Sequence, residues 1–187
     1  MVRQEGNRLV IEEGLTRVYI ECWGESSLRV RMTAEPEMDK NDWALCERVE
    51  EVTPVITFTE VDVTDPWYKG DEWKKYHQTG TVAMLTNGKI TAEVSPEGWI
   101  RFLNQRGEVL TEEYWRNRNR INRYCVPLRV DARELKPVMG SCDYELTARF
   151  EAYDDEKIFG MGQYQEKHLD KKGATLELAQ RNSQASV

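Results

Sequence analysis

Histidine is scarce in this sequence, and cysteine pairs at metal-binding spacing are missing. The two histidines, His77 and His168, lie far apart in polar stretches, and neither H-x-x-H nor H-E-x-x-H occurs, so no metal site is expected. The four cysteines, Cys22, Cys46, Cys125 and Cys142, are irregularly spaced with no C-x-x-C, which removes the usual zinc arrangements. Reduced thiols of a cytoplasmic protein are the expectation, with Cys22 and Cys46 buried beside Trp23 and Leu45. No apolar run approaches membrane-spanning length, and the opening "MVRQEGNRLVIEEG" lacks the apolar core of a secretory signal. No membrane partner is therefore expected. Positive charge is in deficit, with 26 Lys and Arg against 33 Asp and Glu and a net charge of −7. That balance argues against a nucleic-acid partner. There is no phosphate-cradling loop and no G-x-S-x-G elbow. "GMGQYQ" opens like a dinucleotide fingerprint, but its third glycine is missing and no βαβ pattern precedes it. No cofactor is expected.

What is present is a period of two. "TRVYIE" places Val18 and Ile20 on one face and Arg17, Tyr19 and Glu21 on the other. "LRVRM" sets Leu28, Val30 and Met32 inward, with Arg29 and Arg31 outward, and "VITFTEVDV" (Val55–Val63) continues the alternation. Such patterns mark half-buried antiparallel strands. A meander follows. Thr86-Asn87-Gly88 predicts a tight hairpin turn, because Asn and Gly both tolerate positive φ. Ile90, Ala92 and Val94 share a face, and "SPEG" (Ser95–Gly98) and "NQRG" (Asn104–Gly107) supply two further turns. "TEEYWRNRNRINRY" reads as a helix or an ordered loop, whereas "YELTARFEAY" (Tyr144–Tyr153) and Thr175–Leu178 regain β alternation. The sum is ten or eleven strands with at most one short helix, an all-β antiparallel sandwich in a single domain, 1–187.

No self-contained active site emerges. A glycosidase needs two carboxyls facing each other across a cleft. Here the acids mostly alternate with apolar residues along strands, where a solvated face is the default. "YDDEK" (Tyr153–Lys157) reads as a solvated turn, since it lacks the ligand spacing of a calcium loop. The basic run Arg116–Arg123 suits docking onto another part of the same protein. Trp67, Tyr68 and Trp73 could stack on sugar rings or cover apolar surface, and exposed apolar groups more often mark protein contacts.

The last third carries a resemblance. "ARELKP" (Ala132–Pro137), "YELTARFEAYDDEKIFGMGQYQ" (Tyr144–Gln165) and "KGATLELAQRN" (Lys172–Asn182) resemble the N-terminal domain of family 31 glycoside hydrolases, in their α-xylosidase and α-glucosidase branches. The shared pattern is an acidic residue before a strand, then G-x-G-Q, then Q-x-N. Glu156, Gly160, Gly162, Gln163, Gln180 and Asn182 supply it here. The resemblance implies a galactose-mutarotase-like β-sandwich, cut before its last strands and before a catalytic (β/α)₈ barrel. That barrel would be its intramolecular partner and would hold both catalytic aspartates, leaving no catalytic residue in this chain. Gln163, Tyr164, Gln165, Gln180 and Asn182 would stand at a pocket edge where an oligosaccharide passes, with Glu156, Gly160 and Gly162 as structural parts. A free-standing sugar-binding sandwich is the alternative. A sandwich lacking its last strands is also expected to self-associate through its open edge.

Overall fold

The computed structural model describes residues 1–39, 41, 52–62, 79–114, 131–160 and 168–177. Among them are eleven strands and no helix. Two compact units are distinguished, Met1–Glu151 and Ala152–Val187. All named strands lie in the first.

Four strands form the first sheet in chain order: β1 (Val2–Glu5), β2 (Arg8–Glu13), β3 (Thr16–Cys22) and β4 (Leu28–Thr33). The second sheet has five, again in chain order: β5 (Val55–Asp62), β6 (Thr79–Asn87), β7 (Ile90–Val94), β8 (Ile100–Asn104) and β9 (Val109–Glu112). A two-stranded ribbon, β10 (Arg133–Pro137) and β11 (Tyr144–Ala148), completes the unit. Every pairing is antiparallel. The all-β antiparallel sandwich read from the alternation is the fold observed.

One apolar core joins the two larger sheets. Leu9, Ile11, Val18, Ile20 and Cys22 from the first meet Ala83, Leu85, Ala92, Val94 and Ile100 from the second. The register explains their selection. Leu9 opposes Ile20 and Ile11 opposes Val18, so alternate residues of neighbouring strands point the same way. Burying each of the larger aliphatic side chains contributes about 1.5–3 kcal/mol. Val30 belongs to the inward set by register, but it remains 39% exposed because β4 is an edge strand. On the outer face, Tyr19 is buried rather than solvated, since the Arg8 guanidinium lies 4.5 Å from its ring centroid.

The β6–β7 hairpin corrects its expected turn by one residue. Asn87 opposes Ile90 as the last ladder pair, so the loop is Gly88-Lys89, and Gly88 holds φ +58°. Asn87 is thereby freed from turn duty and is buried. Its Nδ2 donates to the Gly24 and Ser27 carbonyls, each at 2.7 Å, while Lys89 N donates to Ser26 Oγ at 3.1 Å. These bonds fasten the tip of one sheet to the β3–β4 loop of the other. A Cβ on Gly88 would lie 2.4 Å from Ser26 Oγ, so the close approach as well as the positive φ demands glycine there.

The alternation at Thr175–Leu178 does not translate into a strand at Thr175, Leu176 or Glu177, and Leu178 is outside the described residues. Period two marks a strand only where a neighbouring strand accepts its backbone groups. The "EKIFG" stretch (156–160) likewise carries no strand.

Candidate functional site

The motif residues expected at a pocket edge divide unequally. Glu156 and Gly160 are described, whereas Gly162, Gln163, Tyr164, Gln165, Gln180 and Asn182 lie outside the described residues. So do His77, Cys46, Cys125, Trp67, Tyr68, Trp73 and the basic run 116–123. Glu156 is half-buried at the end of a turn, its N–H donating to the Tyr153 carbonyl at 3.1 Å. Gly160 holds φ +97° with open space where a Cβ would stand, so its requirement for glycine is conformational.

Asp170 organises this second unit, and the sequence reading did not single it out. Its Oδ1 accepts the Ile158 and Lys172 N–H groups, both at 3.0 Å, and Lys171 N donates to the Ile158 carbonyl at 2.7 Å. Lys172 Nζ donates to the Tyr153 carbonyl. Those two backbone N–H groups hold the Asp170 carboxyl below its ordinary range. The result clips 153–158 to 170–172, immediately beside the glycine motif.

Among the described residues a buried polar cluster lies elsewhere, in the first unit. Glu93 (β7), Arg101 (β8) and Glu112 (β9) stand in register across three strands, on the face of the five-stranded sheet away from the apolar core. That face is buried too, with Glu93 1%, Arg101 3% and Glu112 4% exposed. Arg101 Nη2 lies 3.1 Å from both Glu93 carboxylate oxygens. A second pair adjoins it. Glu113 Oε1 is 3.4 Å from Arg133 Nη1, Glu113 Oε2 accepts the Ile100 N–H at 2.8 Å, and Arg133 Nη2 donates to the Gly98 carbonyl at 2.7 Å. The default of solvated acids on strands therefore fails for Glu93, Glu112 and Glu113.

The cluster is a brace rather than a reaction centre. Glu93 and Glu113 each face a guanidinium and are closed off from solvent, whereas acid–base work on a glycoside needs carboxyls open to a cleft. Among the described residues no group of three or more His, Cys, Asp or Glu is placed to hold a metal ion. Cys22 is buried and Cys142 exposed, both as free thiols.

Burial pushes the Glu113 carboxyl above its ordinary range, with Arg133 and the Ile100 N–H offsetting part of the rise and Glu13 adding to it. A carboxyl raised on folding contributes stability that is complete below its unfolded value and is lost as pH rises through the folded value. The stability of wild type minus that of Glu113→Gln should therefore fall as pH rises above the ordinary glutamate range. Urea denaturation at several pH values measures it. A difference that stays flat or grows with pH would refute this assignment.

No family model matches the chain. A search of curated proteins finds an uncharacterized family 31 glucosidase, ORF2, of Pseudescherichia vulneris, 41% identical over 177 residues, which are 90% of this chain and 29% of that protein. Among solved structures, an α-xylosidase of glycoside hydrolase family 31 from a soil metagenome, complexed with xylose, matches 100% of this chain and 26% of its own. The identity is 40% and the TM-score 0.75. The chain thus spans between a quarter and a third of the length of these relatives.

Proposed function

Since this chain is a β-sandwich counterpart of part of the family 31 glycoside hydrolases, we propose that it is the accessory domain of a retaining α-glycosidase acting on α-xylosides or α-glucosides. In this reading it packs on the catalytic barrel and shapes one wall of the substrate pocket. The observation that carries the reading is the full-length match, at 40% identity, to 26% of an α-xylosidase chain. The internal chemistry agrees. The buried carboxylates Glu93 and Glu113 face Arg101 and Arg133, which suits a rigid support. Asp170 fixes the backbone at Ile158, next to Gly160 in the sequence. Gln163, Gln165, Gln180 and Asn182 are neutral groups able both to donate and to accept hydrogen bonds, as contacts to sugar hydroxyls require.

The expected result is that the chain alone releases no nitrophenol from aryl α-xyloside or α-glucoside, even at high protein concentration. Turnover that vanishes when one carboxylate of this chain is replaced would overturn the reading. Calorimetric titration with xylose separates the alternative. Saturable binding by the chain alone identifies an independent sugar-binding module, whereas an accessory domain gives no heat.

A further inference from the structure

The β10–β11 ribbon presents an apolar face that the sandwich core does not use. Register places Leu135 opposite Leu146 and Pro137 opposite Tyr144, so these four side chains share one side. Leu146 is 58% exposed, and Tyr144 and Phe150 are exposed as well. The loop between the strands carries Val138, also exposed, and Met139 at 98%. The opposite face is charged, with Glu134, Lys136 and Glu145, and Glu134 pairs there with Arg149 at 3.0 Å. The ribbon is therefore amphipathic, with its apolar side exposed along with much of its charged one.

Its base is firmly held. Tyr114 N donates to the Arg149 carbonyl and Glu151 N to the Glu112 carbonyl, each at 2.9 Å, and Phe150 pairs with Glu113 just beyond β9. Arg149 Nη1 donates to the Asp131 carbonyl at 2.6 Å. Beyond that base the ribbon is only two strands wide, with the Tyr144 hydroxyl donating to Glu35 at 3.3 Å at its far end. A two-stranded hairpin is marginal in water unless its apolar face packs on something.

Resting on the reading above, we propose that this apolar face is the seat of the catalytic portion of the parent enzyme. Two observations select that occupant. The relatives are matched over only 26–29% of their length, so the larger part of such an enzyme lies outside this chain and must meet it along a domain interface. A second copy of this chain is the weaker occupant of this face, because the self-association expected of the sandwich runs through an open strand edge rather than through the ribbon's side chains, and each copy carries a net charge of −7.

The test compares the full-length enzyme with the 187-residue chain, using Leu146→Glu and, on the charged face, Lys136→Glu. The leucine side chain is mostly exposed, so its replacement leaves the sandwich folded. Hydrogen exchange of the ribbon amides is read alongside hydrolysis of an aryl α-xyloside. Ribbon amides should exchange at least about tenfold more slowly in the full-length wild type than in the chain alone. Leu146→Glu should abolish that protection, and Lys136→Glu should retain it. Equal exchange in both proteins, or protection indifferent to Leu146→Glu, overturns the proposal. Protection that appears only as protein concentration rises also overturns it, in favour of a second copy. An active wild-type enzyme with an unprotected ribbon strikes this proposal alone, whereas an inactive wild-type enzyme strikes the functional reading.

Discussion

Replacing Arg101 by Met should lower the unfolding free energy by about 3–5 kcal/mol, the usual cost of removing one member of a buried ion pair. The guanidinium is 3% exposed and lies 3.1 Å from both oxygens of Glu93, which is 1% exposed. Methionine matches much of the arginine stem, so the loss is charge compensation rather than volume. The Glu93 carboxylate would be left in a low-dielectric site without that partner. The double variant Glu93→Leu with Arg101→Met should recover part of the loss, because exchanging a buried pair for apolar groups is often neutral or stabilising, while Glu112 stays buried opposite position 101 and retains the remainder. Chemical denaturation of wild type and the two variants decides it. A single variant within about 1 kcal/mol of wild type would mean that the pair contributes no more than an exposed one.

A second large effect is expected at the hairpin tip. Asn87→Asp should cost about 3–5 kcal/mol at neutral pH, since it buries an unpaired charge. The Gly24 and Ser27 carbonyls both require a donor at 2.7 Å, and the amide of Asn87 supplies two N–H groups. A carboxylate supplies none and sets oxygen against oxygen. The loss should shrink as pH falls, because a protonated acid donates one hydrogen bond. In the sign convention for Glu113, this is again a carboxyl raised on folding, most favourable to the folded state at low pH. Thermal melts of Asn87→Asp and Asn87→Ser across the acidic range check the prediction. An aspartate variant that melts like wild type at neutral pH would remove the tip contact from the fastenings of the sandwich.

The strands were legible because two independent signals agreed. In the meander from β6 to β9, alternation gave the faces and turn residues gave the breaks, and the observed register keeps them except for a one-residue shift at the β6–β7 turn and a bulge in β8–β9. The hairpin at Asn87 slipped by one residue because turn propensity is local, while the Gly24 and Ser27 carbonyls that capture the asparagine side chain lie about sixty residues away in sequence. The buried charges were half legible. Alternation puts Glu93 and Arg101 together on the face opposite Ala92 and Val94, but a period of two does not tell whether that face meets water or protein. Asp170 escaped notice for a related reason. One aspartate among many acids becomes distinctive only when the fold aims the N–H groups of Ile158 and Lys172 at its carboxylate. The glutamines and asparagine of the motif were found through resemblance, not through any periodicity of their own.

The order of strands in the two larger sheets has a kinetic meaning. Each strand pairs only with its neighbour along the chain, and within each sheet the connections are two to five residues long and close at little entropic cost, apart from the one joining β5 to β6 across residues 63–78. Docking one sheet on the other is different, because Asn87 and its carbonyl partners are separated by 60 and 63 residues. The high-entropy step of folding is therefore the meeting of two preformed meanders. The tip contact at Asn87 belongs to that late encounter, and it slows the separation of the sheets more than it speeds their formation.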